Sequence, residues 1–278
     1  MLTLADARRN PRYLSGTVVE TRLGRVHAVV RGEGPDVVLL HGVTDNAGTW
    51  HELQAALPEV RTHALDLLGH GLTDIPDRAP DQRELAEWVA AYLDAAEVES
   101  AVVVGWSLGG TCTLELAAAH PERVRRMVLV GAAALDFPFP LALTPLKVPP
   151  VAELMPAIGS SDPVRRTVMR STFARRFHPH QDVIDRYFRG WHIWGRARFM
   201  RRLLSTLHIE TTERALPRIQ APAWIVHGEE DQLVPIRVAR ELAARLPRAE
   251  GSFLSGVGHA PHIEQPESVL DAIGAALA

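Results

Sequence analysis

Two hydrophobic periods alternate along the chain. Val37-Val38-Leu39-Leu40, Val102-Val103-Val104, Met127-Val128-Leu129-Val130 and Ala223-Trp224-Ile225-Val226 are short, continuous apolar runs. Runs of that length predict strands buried on both faces. Thr62-His63-Ala64-Leu65 and Gly251-Ser252-Phe253-Leu254 predict two further strands. Between them the period changes. From Asp81 to Ala96 the residues Leu85, Val89, Tyr92 and Leu93 recur at helical spacing, with Asp81 placed to cap. Trp50 to Leu57, Leu114 to Ala119, Val238 to Leu246 and Ser268 to Leu277 also predict helices. Thr17 to Glu20 and Val26 to Val30 flank a turn at Gly24 and predict an antiparallel hairpin. Strands alternating with helices from Val37 to Val130 predict a parallel sheet with right-handed crossovers.

The rhythm stops near Ala134. Phe137-Pro138-Phe139-Pro140, Pro145 and Pro149-Pro150 fit no regular element. A helical, arginine-rich stretch follows, from about Pro163 to Arg214, and the α/β pattern resumes at Ala223. The simplest division is a core at 1–133, an inserted helical segment at 134–216, and the rest of the core at 217–278.

Composition adds bounds. The chain has 278 residues, 46% hydrophobic and 23% charged, enough for one large domain with an insertion. Its net charge of −3 does not argue for nucleic acid as a partner. The single cysteine, Cys112, excludes an intramolecular disulfide and reads as a small buried hydrophobe. Neither a signal-peptide core nor a membrane-length apolar run is visible, so a cytoplasmic protein with no membrane partner is expected.

The chemistry centres on Val102-Val103-Val104-Gly105-Trp106-Ser107-Leu108-Gly109-Gly110. A strand runs into Gly-x-Ser-x-Gly and then into a helix, which is the form of a nucleophile elbow. Side chains at Gly105 and Gly109 would collide where strand and helix cross. Ser107 is expected in a strained conformation at a helix N-terminus, where free N–H groups favour negative charge. On its own the motif arises by chance in roughly one chain of this length in ten, and a turn serine capping a helix is the plain alternative. Two other loops decide between them. Ligands bind beyond the carboxyl ends of parallel strands. Asp231 follows the strand ending at Val226, and His259 follows the strand ending at Leu254. Ser, Asp, His is the order the elbow requires. His259 would take the serine proton and return it to the leaving group, and Asp231 would orient the imidazole. The oxyanion needs two donors, assigned to the N–H of Leu108 and, in the loop after Leu40, the N–H of Val43.

These pieces, with His41-Gly42, Asp66-x-x-Gly69-His70-Gly71, Gly228-Glu229-Glu230-Asp231-x-x-Val234-Pro235 and Gly258-His259, resemble the α/β-hydrolase superfamily over residues 17–278. The likeness is to its serine-nucleophile branch with a helical cap. It implies a mostly parallel eight-stranded sheet flanked by helices, with the cap inserted between strands six and seven. It also supports Ser107, Asp231 and His259 as triad and Val43 and Leu108 as oxyanion donors. Gly-Trp-Ser-Leu-Gly-Gly and Gly-His-Ala-Pro-His-Ile are similar to segments of the pimeloyl-carrier-protein methyl ester esterases.

Competing assignments are fewer than the polar residues. Asp136 follows the strand ending at Val130 and is the alternative acid; the Asp-x-x-Val-Pro context favours Asp231. His262 is expected to pack beside the site, His41 to hold the oxyanion loop, and Asp66 and His70 to stabilise a turn. His178-Pro179-His180 lacks a third ligand and is not a metal site. No metal or cofactor is implied. Trp106, Phe137, Trp191 and Trp194 are candidates for the substrate pocket.

The expected reaction is hydrolysis of a carboxylic ester, thioester or lactone through an acyl-enzyme on Ser107. Serine at the nucleophile position disfavours dehalogenation and epoxide opening, which use aspartate there in relatives. A carbon–carbon bond hydrolase, a non-hydrolytic biosynthetic enzyme and a ligand receptor on the same fold remain alternatives. The segment 134–216 carries a formal +6 and the rest of the chain −9. Either this is a solvated face or it draws in an anionic or carrier-bound substrate, with Arg165-Arg166 and Arg175-Arg176 the obvious charges.

Overall fold

A computed structural model describes residues 2–10, 15–138, 144, 162–193 and 195–278. Its strands are β1 (Thr17–Thr21), β2 (Gly24–Arg31), β3 (Asp36–Leu40), β4 (Arg61–Leu65), β5 (Ala101–Trp106), β6 (Val124–Val130), β7 (Ala223–Gly228) and β8 (Ala249–Leu254). The α-helices are α1 (Leu4–Arg9), α2 (His51–Ala55), α3 (Gln82–Ala95), α4 (Leu108–Ala119), α5 (Asp162–Thr172), α6 (Gln181–Phe188), α7 (Arg196–Thr206), α8 (Ile236–Arg245), α9 (Pro261–Glu264) and α10 (Pro266–Leu277).

The strands form one eight-stranded sheet in the order β1-β2-β4-β3-β5-β6-β7-β8. The hairpin β1–β2 is antiparallel and joins β4 antiparallel; every other pairing is parallel. Alternation along the strands divides the core in two. Val38, Leu40 and Val103 face one layer with α3 and α4, while Val37, Leu39, Val102 and Val104 face the other with α10. Helix α4 is buried from Leu108 to Ala118, as its all-round apolar sequence requires. Asp81 caps α3 reciprocally with Glu84, the capping-box arrangement. The helical expectation over Trp50 to Leu57 is met later and more briefly. Asn46 caps a 3₁₀ turn at Ala47–Trp50, and α2 starts only after it.

Strand order reverses between β3 and β5, because β4 returns to one side of β3 and β5 pairs on the other. A crevice therefore opens beyond the carboxyl ends of those two strands. The register pairs Leu40 with Gly105, Trp106 with Val130 and Gly228 with Leu254. The loops after β3, β5, β6, β7 and β8 consequently rise from one level. Helices α5, α6 and α7 all lie between β6 and β7 in the chain. No helix among the described residues is long and apolar enough to cross a membrane.

Close approach at the β5–α4 crossing leaves no room for side chains. A Cβ on Gly109 would collide with the Leu40 carbonyl and lie 2.9 Å from the His41 oxygen; one on Gly105 would collide with the Gly109 carbonyl. Gly274, on α10, meets nothing within 4 Å. Gly109→Ala should therefore destabilise the fold by about 3 kcal/mol or more. Gly274→Ala should stabilise it by about 0.5–1 kcal/mol through helix propensity alone. Urea midpoints of the two variants against wild type check both signs.

Candidate active site

Ser107 occupies the turn between β5 and α4 with φ 53° and ψ −114°. A non-glycine residue in this region is strained, and it holds only where its surroundings fix it. The Ser107 N–H donates to the Val130 carbonyl at 3.0 Å, and its carbonyl accepts from Gly110, Thr111 and Ala133. On the opposite side, a Cβ on Gly42 would lie 3.2 Å from the Ser107 Cβ. Gly42 thus lets the loop after β3 close against the serine.

That loop is held by His41. The Leu67 N–H donates to His41 Nε2 at 3.0 Å, which places the ring proton on Nδ1, and Nδ1–H donates to the Gly42 carbonyl at 2.7 Å. Burial pushes the His41 imidazole down to about 4, against the opposing pull of Asp66, so the ring is neutral in this role. Asp66 accepts from His27 Nδ1–H at 2.7 Å and from the N–H groups of Ala47 and Leu72 at 2.7 and 2.6 Å. Burial alone would raise its carboxyl. His27, His41 and the backbone donors outweigh that and hold it well below the usual range. Asp66 fastens the loop after β4 to the one after β3, and a Cβ on Gly71 would strike its carboxylate. His70 joins the same turn, donating from Nδ1 to the Leu68 carbonyl at 3.1 Å.

Asp231 and His259 meet directly, with Nδ1–H of the imidazole donating to Oδ2 at 2.7 Å. The other carboxylate oxygen accepts the N–H groups of Leu233 and Val234 at 2.8 and 2.9 Å. His227 Nε2 lies 3.2 Å from Oδ2 and 2.9 Å from the Val234 carbonyl. Burial opposes the charge on Asp231, but His259, His227 and their hydrogen bonds prevail, and the carboxyl sits well below its ordinary value. Asp136 lines the nearby cavity with an exposed side chain, and the partner of His259 is Asp231.

The His259 loop is fixed from three directions. Trp106 Nε1–H donates to the His259 carbonyl at 2.7 Å, and the His259 N–H donates to Thr172 of α5 at 2.8 Å. Glu264 accepts from the N–H groups of Gly258 and Ala260, which flank the histidine, and from Ala174. His262 packs between the rings of Trp50 and Trp106, with centroids 4.6 Å from each, and pairs with Thr49 at 3.0 Å. Burial pushes its imidazole down to about 3, so it acts as a neutral packing group.

A cavity of about 260 Å³ unites the site. Ser107, His259, Val43, Leu108, Trp106 and Phe137 all line it, with Val168, Ser171 and Thr172 of α5 opposite. Among the described residues neither the Val43 N–H nor the Leu108 N–H has a hydrogen-bond partner, so both are available to a ligand. Trp191 does not line this cavity. Its Nε1–H is spent on the Thr44 carbonyl at 3.0 Å, and its ring packs on Phe188. Trp194 lies outside the described residues. His178 is on an exposed loop, and no cluster of three His, Cys, Asp or Glu side chains is placed to hold a metal among the described residues. Cys112 is buried in the core, where burial and Glu115 raise its thiol.

Four contributors had no sequence signal strong enough to single them out: His227, Glu264, Thr44 and Tyr187. His227 at least sits at a strand end beside the Asp231 loop. Glu264 reaches the backbone of Ala174 as well as that of Gly258 and Ala260, and the Thr44 and Tyr187 hydroxyls pair across 143 positions.

Residues 35–266 match the family model described as the alpha/beta hydrolase fold. One similar protein is a 2-hydroxymuconate semialdehyde hydrolase from Pseudomonas sp. (strain CF600), 31% identical with 89% of this chain and 88% of that one covered. Another is a pimeloyl-(acyl-carrier protein) methyl ester esterase from Aromatoleum aromaticum, 34% identical with 84% and 94% covered. Among solved structures, a meta-cleavage product hydrolase from Pseudomonas fluorescens superposes with a TM-score of 0.82 at 23% identity, covering 94% of this chain and 97% of that one.

Asp45, in the loop after β3, is buried with Oδ2 unpartnered. Burial pushes its carboxyl up to about 8, reinforced by Asp66 and offset in part by Asn46, Thr49 and Arg186. Its folded value exceeds its unfolded one, so its contribution is fully present below about pH 4 and is lost as pH rises through 8. Asp45→Asn should flatten the decline in stability across that window and raise stability near neutrality. Denaturant unfolding at stepped pH values measures the slope.

Proposed function

The chain belongs to the alpha/beta hydrolase fold family, and from that premise we propose that it is a serine hydrolase of carboxylic esters, thioesters or lactones working through an acyl-enzyme on Ser107. The observation that carries this reading is the 2.7 Å His259–Asp231 hydrogen bond at the wall of the cavity that also holds Ser107. Asp231 fixes the imidazole with its proton on Nδ1, which leaves Nε2 as the base. Ser107 Oγ adds to the substrate carbonyl carbon as Nε2 takes its proton. The Val43 and Leu108 N–H groups receive the developing oxyanion. Collapse expels the alcohol or thiol, protonated from Nε2. Water then adds to the acyl carbon by the same route, releases the acid and restores Ser107.

The segment 134–216 acts as a cap in this reading, with the substrate between it and the sheet. The described cavity lining contains no Arg or Lys, and Asp136 and Glu210 stand there with exposed carboxylates. A neutral apolar acyl group suits such a lining better than one with its own carboxylate. Carbon–carbon bond hydrolysis is the second reading, favoured by the 31% identical relative. Comparing p-nitrophenyl butyrate with a ring-fission diketone as substrates separates the two. Failure to turn over either would favour a receptor.

Four of the segment's described arginines lie outside this lining. Arg165, Arg166, Arg170 and Arg175 line a groove of about 800 Å³, and its α5 residues are on a different face from Val168, Ser171 and Thr172. Arg165 is engaged internally, paired with Asp185 at 3.1 Å and stacked over Phe188. The other three arginines have no acidic partner among the described residues. An anionic or carrier-bound substrate would keep its charge in this groove and send only the neutral acyl end into the cavity.

Ser107→Ala should abolish labelling by a fluorophosphonate probe and lower turnover by several orders of magnitude. Asp231→Asn should cost about 10⁴-fold in kcat by analogy with protease triads, and Asp136→Asn should cost little. A larger loss in the Asp136 variant reverses the assignment of the acid.

Changing Arg166, Arg170 and Arg175 to glutamate should lower kcat/KM for an anionic thioester and spare p-nitrophenyl butyrate. Raising salt from about 0.05 to about 0.5 M should narrow that difference as screening shortens the reach of the charges. Equal losses on both substrates, insensitive to salt, would assign these arginines to the solvated face.

A further inference from the structure

Thr44 is the residue next to the proposed oxyanion donor Val43, and it has φ 69°. A β-branched side chain is rarely found in the left-handed region, because Cβ crowds the following carbonyl. Such a conformation persists only where surrounding contacts impose it. Here they come from one short stretch of the segment between β6 and β7. Tyr187 Oη pairs with Thr44 Oγ1 at 2.8 Å, and Trp191 Nε1–H donates to the Thr44 carbonyl at 3.0 Å. The adjoining Asn46 Nδ2 donates to the Arg186 carbonyl at 2.9 Å, and the Arg186 guanidinium pairs with Glu52 at the start of α2.

The other neighbour of Val43 is held from the core. The Gly42 carbonyl accepts from His41 Nδ1–H at 2.7 Å and from the Asp45 N–H at 3.3 Å. Val43 is thus suspended between two pinned residues, one fixed by the sheet side and one by the inserted segment. Its N–H has no partner among the described residues.

We propose that Trp191 and Tyr187 are positioning residues for the oxyanion hole: by holding Thr44 left-handed they aim the Val43 N–H at the reacting carbonyl. The inserted segment then completes the catalytic site as well as covering it. This rests on the reading of Ser107 as nucleophile and Val43 as donor given above. Trp191 is the cleaner probe of the two. It does not line the catalytic cavity, whereas Tyr187 does and would also touch substrate.

The signature follows from the timing of the charge. An oxyanion forms in the transition state and not in the bound ester, so a misaimed donor lowers kcat and leaves KM nearly unchanged. Removing an oxyanion donor outright has cost about 10²–10³-fold in a protease, so a donor retained but loosened should cost about 10–100-fold.

The experiment compares wild type, Trp191→Phe and Tyr187→Phe, with active sites titrated by a fluorophosphonate probe so that rates refer to competent enzyme. For Trp191→Phe the expected result is a 10–100-fold fall in kcat on p-nitrophenyl butyrate, at the order set by the oxyanion donors above. KM should stay within about threefold. Affinity for butylboronic acid, whose adduct on serine carries the tetrahedral oxyanion, should fall by the same factor as kcat. Affinity for butyramide, which mimics the ground state, should not change. Adding Thr44→Gly to Trp191→Phe should recover part of kcat, since glycine adopts this conformation unaided. An unchanged kcat per titrated site, or equal weakening of the boronate and the amide, overturns the proposal even if thermal stability falls. Absence of probe labelling at Ser107 in wild type overturns the nucleophile reading and this inference together.

Discussion

The crossing of β5 and α4 is the constraint on which the site depends. Helix α4 begins immediately after Ser107, so strand, turn and helix occupy a space where no side chain fits at Gly105 or Gly109. Ser107 takes a positive φ there and lines the cavity. The crossing also presents the start of α4, where the Leu108 N–H has no partner among the described residues, to the same cavity. Gly42 extends the crowding to the loop after β3, which comes against the same point.

Three buried or half-buried carboxylates then hold the loops that surround this crossing. Asp66 joins the loops after β3 and β4, Asp231 organises its own loop while orienting His259, and Glu264 braces the backbone on both sides of His259. Each satisfies its lone pairs largely with backbone N–H groups. Such bonds stabilise the ionised form and offset the cost of burial. For Asp66 and Asp231 this holds the carboxyl below its ordinary range. For Glu264 burial prevails and the carboxyl is raised in spite of three donors. The difference matches their partners, because each aspartate also meets an imidazole directly.

The segment between β6 and β7 touches this arrangement at two places. Thr172 of α5 accepts the His259 N–H, and Trp191 holds Thr44 beside Val43. Helix α5 lines the Ser107 cavity on one face and an arginine-rich groove on another. Its arginines Arg165, Arg166 and Arg170 all line the groove, where Arg175 joins them from beyond the helix, but Arg165 is also bound to Asp185 and Phe188.

Much of this protein was determined by local sequence. Apolar runs of four residues define buried strands because each residue packs on one of two cores, and Asp81 with Glu84 defines a helix start because the cap is completed within four residues. The elbow was legible for the same reason, since the steric requirement acts between positions 105 and 109. Asp231 and His259 were legible through their common position after parallel strands. What only the tertiary structure decided are bonds that close over long separations. Trp191 read as a pocket residue, yet its N–H is taken by a carbonyl 147 positions away. Tyr187 reaches Thr44 across 143 positions, and Glu264 reaches Ala174 across 90. Each uses a side chain on a backbone group or hydroxyl that carries no periodic or compositional mark. Distances through the chain do not reveal which of many such groups will meet, and the folded sheet alone brings them to one place.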